Sequence, residues 1–144
     1  MSERYVVAHD GSEAGRRAVD FAARQAEGGG ATLLVAHVLE WSPYSFLTKD
    51  EIAERHLRRE EELERARGAI IEPVLRELAA RGLSVESELR YGHVVETLVE
   101  IARDTAATQL FIGRTGQTGM VSRLFGSVAG SLAQVSPVPC TIVP

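Results

Sequence analysis

The sequence alternates short apolar runs with longer amphipathic segments, and this alternation restricts the fold more than any other feature. The apolar run at 31–39 is almost continuous, as expected of a central strand covered on both faces. Strands that alternate with helices pair in parallel, because each helix returns the chain to the end of the sheet at which the previous strand began. The predicted strands are residues 5–8, 31–39, 85–90, 110–112 and 140–143. We therefore predict an α/β fold of order βαβαβαβαβ with helices on both faces.

Polar and helix-breaking residues mark where the predicted helices begin and end. Ser12 can cap the first helix, and the glycines at 28–30 end it. A long charged helix should stop at Gly82, but Pro73 lies inside it. Because a proline within a helix removes a backbone hydrogen bond, we expect a bend near residues 69–73.

Composition restricts the class of protein and its partners. The chain has 144 residues, 44% of them hydrophobic, and a net charge of −4, which fits one globular domain over residues 1–144. The negative charge argues against nucleic-acid binding and against attachment to a membrane surface. No apolar run is long enough to span a bilayer, no signal-peptide pattern precedes the first strand, and Cys140 has no second cysteine to pair with. We expect a cytoplasmic protein.

The segment from Gly113 to Ser127 carries the strongest indication of chemistry. It follows the carboxyl end of a predicted buried strand, where open parallel sheets bind ligands, and Gly116, Gly119 and Gly126 allow close approach to the backbone. Gly126 and Ser127 open a helix, whose unpaired N–H groups and dipole favour phosphate. The segment lacks the Gly-Lys-Ser/Thr of a P-loop, and no Gly-x-Gly-x-x-Gly follows the first strand. Two interpretations of this segment remain open. It could bind phosphate, or it could be a surface loop that needs its glycines only to turn.

Three other features admit a functional interpretation, and for each we favour a structural one. His9 and His37 end neighbouring strands, but no third ligand at zinc-like spacing accompanies them. The aromatic residues between 41 and 46 could contact a partner, although a cluster that covers the sheet is the simpler interpretation. The acidic run at 60–62, with arginines nearby, is typical of an exposed helix face.

Over its whole length, the chain resembles the ATP-binding branch of the universal stress protein family. The glycine pattern is the most specific element of the resemblance, because it separates members that bind ATP from members that do not. The matching elements are Gly113-x2-Gly116-x9-Gly126-Ser127, Asp10-Gly11-Ser12 after the first strand, His37-Val38 in the second, Gly92 after the third, and the closing Pro-Val-Pro-Cys-Thr-Ile-Val.

The resemblance implies a three-layer, Rossmann-like fold of the adenine nucleotide alpha hydrolase-like kind. Its five-stranded parallel sheet would have the order 3-2-1-4-5. That order reverses between strands one and four, where Asp10 and Gly113 lie, and ligands bind at such a reversal.

The resemblance also implies an ATP site, with Mg²⁺ bound through the phosphates and no catalytic residue. Ala8 would line the base pocket, the Val38 backbone would recognise the adenine edge, and Asp10 would bind the ribose hydroxyls. The ribose would lie close to Gly113, and the phosphates would lie against the glycine segment and the start of the last helix. The implied binding residues are Ala8, Asp10, Val38, Gly113, Arg114, Gly116, Gln117, Thr118, Gly119, Gly126, Ser127, Val128 and Ala129.

Three functions are compatible with such a site. The first is a nucleotide-dependent regulatory or sensor module in the stress response, which forms a homodimer through the last strand at 140–144 and acts on an unidentified protein partner. The second is a slow ATPase or nucleotidyl-transferring enzyme that uses Mg-ATP and Asp10. The third is a protective or scaffolding protein whose nucleotide is structural. We favour the first, because the glycine segment contains no carboxylate, histidine or lysine that could act on the phosphates.

Overall fold

The computed structural model describes residues 3–40, 49–115 and 127–144. Helices and strands alternate along the chain, as the sequence predicts. In chain order they are β1 (Arg4–Ala8), α1 (Glu13–Gly29), β2 (Thr32–Glu40), α2 (Lys49–Ala66), a π-helix (Arg67–Ile71), α3 (Glu72–Ala80), β3 (Val85–Gly92), α4 (Val94–Asp104), β4 (Gln109–Gly113), α5 (Ser127–Val135) and β5 (Cys140–Val143). Among the described residues, no helix is both long enough and apolar enough to cross a membrane.

All five strands lie in one parallel sheet of order β3-β2-β1-β4-β5. In the centre of the sheet, Val7 of β1 lies beside Val35 of β2 on one side and Phe111 of β4 on the other. β3 and β5 are the two edge strands. The predicted strand order and parallel pairing are therefore confirmed.

Alternate residues of the central strands enter two separate cores, one on each face of the sheet. On one face, Val7 and Phe111 pack against α1 and α3. On the other face, Val6 and Ile112 pack against α4 and α5. Phe111 is fully buried, and its ring centroid lies 5.2 Å from that of Tyr5. The prediction of helices on both faces is confirmed, and it accounts for the continuous apolar character of the central strands.

α1 begins and ends where its sequence signals predict. The Ser12 hydroxyl accepts a hydrogen bond from the Gly15 N–H at 3.1 Å, which caps the first turn. At the other end, Gly30 adopts a left-handed φ of 70°, and its N–H donates to the Ala26 carbonyl at 2.9 Å. The position of α1 against the sheet is thus fixed at both ends by local sequence.

Pro73 interrupts the long second helix in the way that its chemistry requires. The chain leaves α2 through a π-helix and restarts as α3, with Pro73 in the first turn of the new helix. The first turn of a helix is where proline is best tolerated. The sequence predicts a bend near residues 69–73, and the structure has a change of helix type there; a left-handed Gly82 follows the end of α3.

α4 ends in a Schellman motif built on alanine instead of glycine. The N–H of Ala106 donates to the Arg103 carbonyl at 3.2 Å, and the N–H of Ala107 donates to the Ala102 carbonyl at 2.9 Å. Ala106 adopts a φ of 54°, the left-handed region in which a side chain is disfavoured. The motif therefore holds an alanine at the position where glycine fits without strain.

We expect Ala106→Gly to raise the free energy of unfolding by about 1 kcal/mol, because glycine relieves this backbone strain. Urea unfolding followed by circular dichroism measures the change. Ala79→Gly, at an exposed position in the last turn of α3, is the matched control and should lower stability by roughly 0.5 kcal/mol. A destabilised Ala106→Gly variant would contradict the prediction.

Candidate nucleotide-binding site

The carboxyl edge of the sheet contains an open cleft of about 810 Å³. It lies at the carboxyl ends of β1 and β4. The covering helices change face at this point of the sheet, because α1 lies on one face and α4 and α5 lie on the other. Residues from both faces line the cleft. This is the position at which doubly wound parallel sheets bind ligands, since neighbouring connections leave the sheet in opposite directions there.

All predicted binding residues that the structure describes line this one cleft. The fold brings them together from β1, β2, β4 and α5. They are Ala8, Asp10, Val38, Gly113, Arg114, Ser127, Val128 and Ala129. The other five predicted residues, Gly116, Gln117, Thr118, Gly119 and Gly126, lie outside the described residues, as do the aromatic residues between 41 and 46.

The first turn of α5 opens onto the cleft. Ser127, Val128 and Ala129 begin this helix, and all three line the cleft. The N–H groups of a first helical turn have no partner within the helix, and the positive end of the helix dipole lies beside them. A helix start in this position attracts anions, phosphate among them.

Asp10 follows β1 and holds the turn into α1. One of its carboxylate oxygens accepts the Ser12 N–H at 3.0 Å and also accepts the Ser12 hydroxyl. Between them, Gly11 adopts a left-handed φ of 89°, which completes a tight turn. Asp10 therefore holds this turn through Ser12, and the ribose contact stays a prediction. The same turn places the Asp10 carboxylate at the cleft.

Two glycines of the cleft are required by close packing within the protein. A Cβ on Gly113 would lie 2.8 Å from the Ala14 carbonyl oxygen in the first turn of α1. A Cβ on Gly15 would lie 2.6 Å from Nδ1 of His9 and 2.9 Å from Oδ1 of Asp10. Gly113 is the glycine that the family resemblance links to the ribose, whereas Gly15 was missed from sequence. The structure gives both glycines a further role, which is to let α1 lie close to the strand ends.

His9 and His37 are buried side chains that line the cleft, each only 6% exposed. Nδ1 of His37 lies 2.7 Å from the His9 carbonyl oxygen, so it carries the proton and donates it, because a carbonyl can only accept. Nδ1 of His9 has no hydrogen-bond partner among the described residues. Burial lowers the pKa of His9 below its ordinary value and outweighs the opposing effect of the Asp10 carboxylate. His9 is therefore a neutral imidazole at neutral pH.

Metal binding by these histidines finds no support in the arrangement of the described side chains. Residues 3–40, 49–115 and 127–144 contain no group of three or more His, Cys, Asp or Glu side chains placed to hold a metal ion. A zinc site needs at least three protein ligands. The two histidines instead join β1 and β2 through the hydrogen bond between them.

One side of the cleft was missed from sequence, because it belongs to α2 and to the π-helix. Glu62 and Arg65 line it, together with the small or apolar side chains of Ala66, Ala69 and Ile70. The acidic run at 60–62 is predicted from sequence to lie on an exposed helix face. Spacing along a helix shows which residues share a face, but it does not show toward which neighbour that face turns.

The comparison with known proteins identifies the family. The sequence profile of the universal stress protein family matches residues 1–144. The chain belongs to the universal stress protein family. The resemblance predicted from the glycine spacing and the strand ends is therefore confirmed at the level of the family.

Curated relatives support this assignment over the whole chain. A universal stress protein of Mycobacterium tuberculosis is 28% identical over 154 aligned residues, which cover 96% of this chain and 47% of the relative. The chain thus spans about half the length of that relative. The universal stress protein YxiE of Bacillus subtilis is 26% identical over 156 aligned residues and covers 99% of both chains.

Solved structures of similar proteins share the fold. Universal stress protein UspA from Lactobacillus plantarum superposes with a TM-score of 0.84 at 20% identity, covering 99% of this chain and 97% of that one. A universal stress protein solved in complex with cAMP has a TM-score of 0.66 at 27% identity, with 99% and 96% covered. A universal stress protein from Archaeoglobus fulgidus, in complex with dAMP, has a TM-score of 0.61 at 21% identity, with 100% and 98% covered.

We expect Gly113→Ala to lower the free energy of unfolding by about 1–3 kcal/mol, because the new methyl group would push the first turn of α1 away from β4. Thermal or urea unfolding measures the loss. Gly28→Ala is the matched control: no atom lies within 4 Å of a Cβ at this exposed helical position, so stability should rise by up to about 1 kcal/mol. Equal stabilities of Gly113→Ala and the wild-type protein would contradict the packing role of Gly113.

Proposed function

We propose that the chain binds ATP in this cleft and acts in the cytoplasm as a nucleotide-dependent regulatory or sensor module of the stress response. The observation that carries the proposal is the first turn of α5, which opens onto the same cleft as Asp10 and Val38. A helix start favours phosphate, and a strand-end carboxylate at the same edge can accept hydrogen bonds from ribose hydroxyls. Candidate partners for phosphate and for sugar thus line the same cleft.

The order of the lining residues along the cleft supports a nucleotide in one orientation. Ala8 and Val38, on the α4 and α5 face of the sheet, would contact the base, and Asp10 and Gly113 would lie at the ribose. The phosphates would lie at the first turn of α5, with Mg²⁺ bound through them, and Arg114 would supply a cation at the mouth of the cleft. In this proposal the predicted residues 116–119 and Gly126 complete the phosphate site.

The similar proteins favour an adenine nucleotide as the ligand. One was solved in complex with cAMP and another in complex with dAMP, and both superpose on nearly the whole chain. The glycine spacing from Gly113 to Ser127 narrows the proposal to ATP, because it matches the pattern of the ATP-binding branch.

Calorimetric titration with ATP, ADP, AMP and cAMP tests the proposal. We expect ATP to bind most tightly, and Gly126→Asp to weaken ATP binding about tenfold or more, since the new carboxylate would repel phosphate. Gly28→Asp adds the same charge at an exposed position of α1 and should leave ATP binding unchanged. The proposal fails if the wild-type protein binds none of the four nucleotides, or if Gly126→Asp binds ATP as tightly as the wild type.

We further propose that the protein is a homodimer joined through residues 140–144. β5 is an edge strand, paired only with β4 within the described part of the sheet, and its first three residues are half-buried. An edge strand presents unpaired backbone groups that a second copy can cover. The Arg114 N–H donates to the Val143 carbonyl at 2.8 Å, so β5 is also tied to the start of the glycine segment.

Light scattering at micromolar concentration should give twice the 15.6 kDa mass of the chain. If two copies pair along β5, each copy covers the unpaired backbone groups of the other copy's β5, which makes association favourable. Repeating the measurement with saturating ATP shows whether the nucleotide changes the assembly. A monomeric mass under both conditions would refute the dimer.

A further inference from the structure

α2 is held over the cleft mainly by contacts near its carboxyl end. Within α2, only Ala66 is buried. Glu62, near the carboxyl end of α2, accepts a hydrogen bond from the Tyr91 hydroxyl of β3. The Arg59 guanidinium lies 5.5 Å from the centre of the Tyr91 ring. Burial and the hydrogen bond to Glu62 raise the pKa of Tyr91 to about 12, so this tie persists at neutral and moderately alkaline pH.

The Tyr91 contact decides which part of α2 faces the cleft. Tyr91 pairs in register with Leu39 of β2, the residue after Val38. Glu62 therefore lies beside the carboxyl end of β2, and Arg65, three residues on, lies on the same side of the helix. Glu62, Arg65 and Val38 all line the cleft. Arg65 is thus held near the end of β2, where the proposed ATP site places the base.

Arg65 differs from Arg58 and Arg67 in having no acidic partner among the described residues. Arg58 pairs with Glu54 at 3.1 Å and Arg67 with Glu64 at 3.5 Å. Arg65 is exposed and forms no ion pair or side-chain hydrogen bond with any residue that the structure describes. A guanidinium is planar and weakly hydrated, so it stacks readily on an aromatic ring.

We propose that Arg65 packs its guanidinium plane against the nucleobase and makes the cleft prefer purines to pyrimidines. The inference rests on the proposed ATP site and assigns its base specificity. Stacking energy grows with the area of the ring face, and a purine offers two fused rings where a pyrimidine offers one. α2 then forms the roof of the base pocket, with Val38 and Ala8 on the opposite side, and the contact between Tyr91 and Glu62 positions that roof.

Calorimetry with ATP, CTP and inorganic tripolyphosphate tests the role of Arg65. Arg65→Ala should weaken ATP binding about 2- to 30-fold, the equivalent of one cation–π contact of roughly 0.5–2 kcal/mol. CTP binding should weaken less, so that the preference for ATP over CTP shrinks, and tripolyphosphate binding should not change. Arg58→Ala, also on exposed α2 but outside the cleft, is the matched control and should bind ATP normally.

A second variant separates stacking from simple charge. Arg65→Lys keeps the positive charge but loses the planar group, so ATP binding should stay weakened. Full recovery with lysine, or an equal loss for ATP and tripolyphosphate, would show that Arg65 serves the phosphates and would overturn the inference. Unchanged ATP affinity in Arg65→Ala would also overturn it and leave the ATP site intact. Absence of ATP binding to the wild-type protein would instead refute the proposed function.

Discussion

Burial of the central strands on both faces is the constraint on which the rest of the structure depends. β1, β2 and β4 send alternate side chains into two cores, so helices must cover both sides of the sheet. The connection after β1 and the connection into β4 therefore run on opposite faces, and the cleft lies at the carboxyl ends of these two strands. The cleft follows from this topology before any functional side chain is considered. The side chains then decide what the cleft can hold.

Much of the fold could be predicted from sequence because its signals are local and agree with one another. The apolar runs, the Ser12 cap and Gly30 define β1, α1 and β2 almost to the residue. Pro73 indicated an irregularity near residues 69–73 because its physical cause, a missing N–H, acts within a few residues, and the π-helix lies there. The strand order could not be predicted from local signals and came from the family resemblance. Hydrophobic periodicity distinguishes strands from helices, but it does not show which strands are neighbours in a sheet.

The candidate site was only partly predictable, and the gaps have a common physical cause. Ala8, Asp10 and Val38 could be named because the family resemblance implies them, and they lie at or near strand ends, where parallel sheets bind ligands. Glu62 and Arg65 could not, because their orientation depends on a contact with Tyr91, which is 29 residues from Glu62 in sequence. The packing role of Gly15 was equally hidden, since it depends on the position of the His9 ring.

The π-helix between α2 and α3 has a consequence for how chains of this kind can change in length. A π turn holds one residue more than an α turn, so it is in effect an accommodated insertion. Here the Glu72 N–H reaches back five residues to the Arg67 carbonyl, and Pro73 follows directly. Deletion of one residue within 67–71 could be absorbed as an ordinary helical turn, with α3 and its core contacts kept in place. Loss of one residue from this short stretch would therefore change the wall of the cleft, which Ala69 and Ile70 line, more than the sheet.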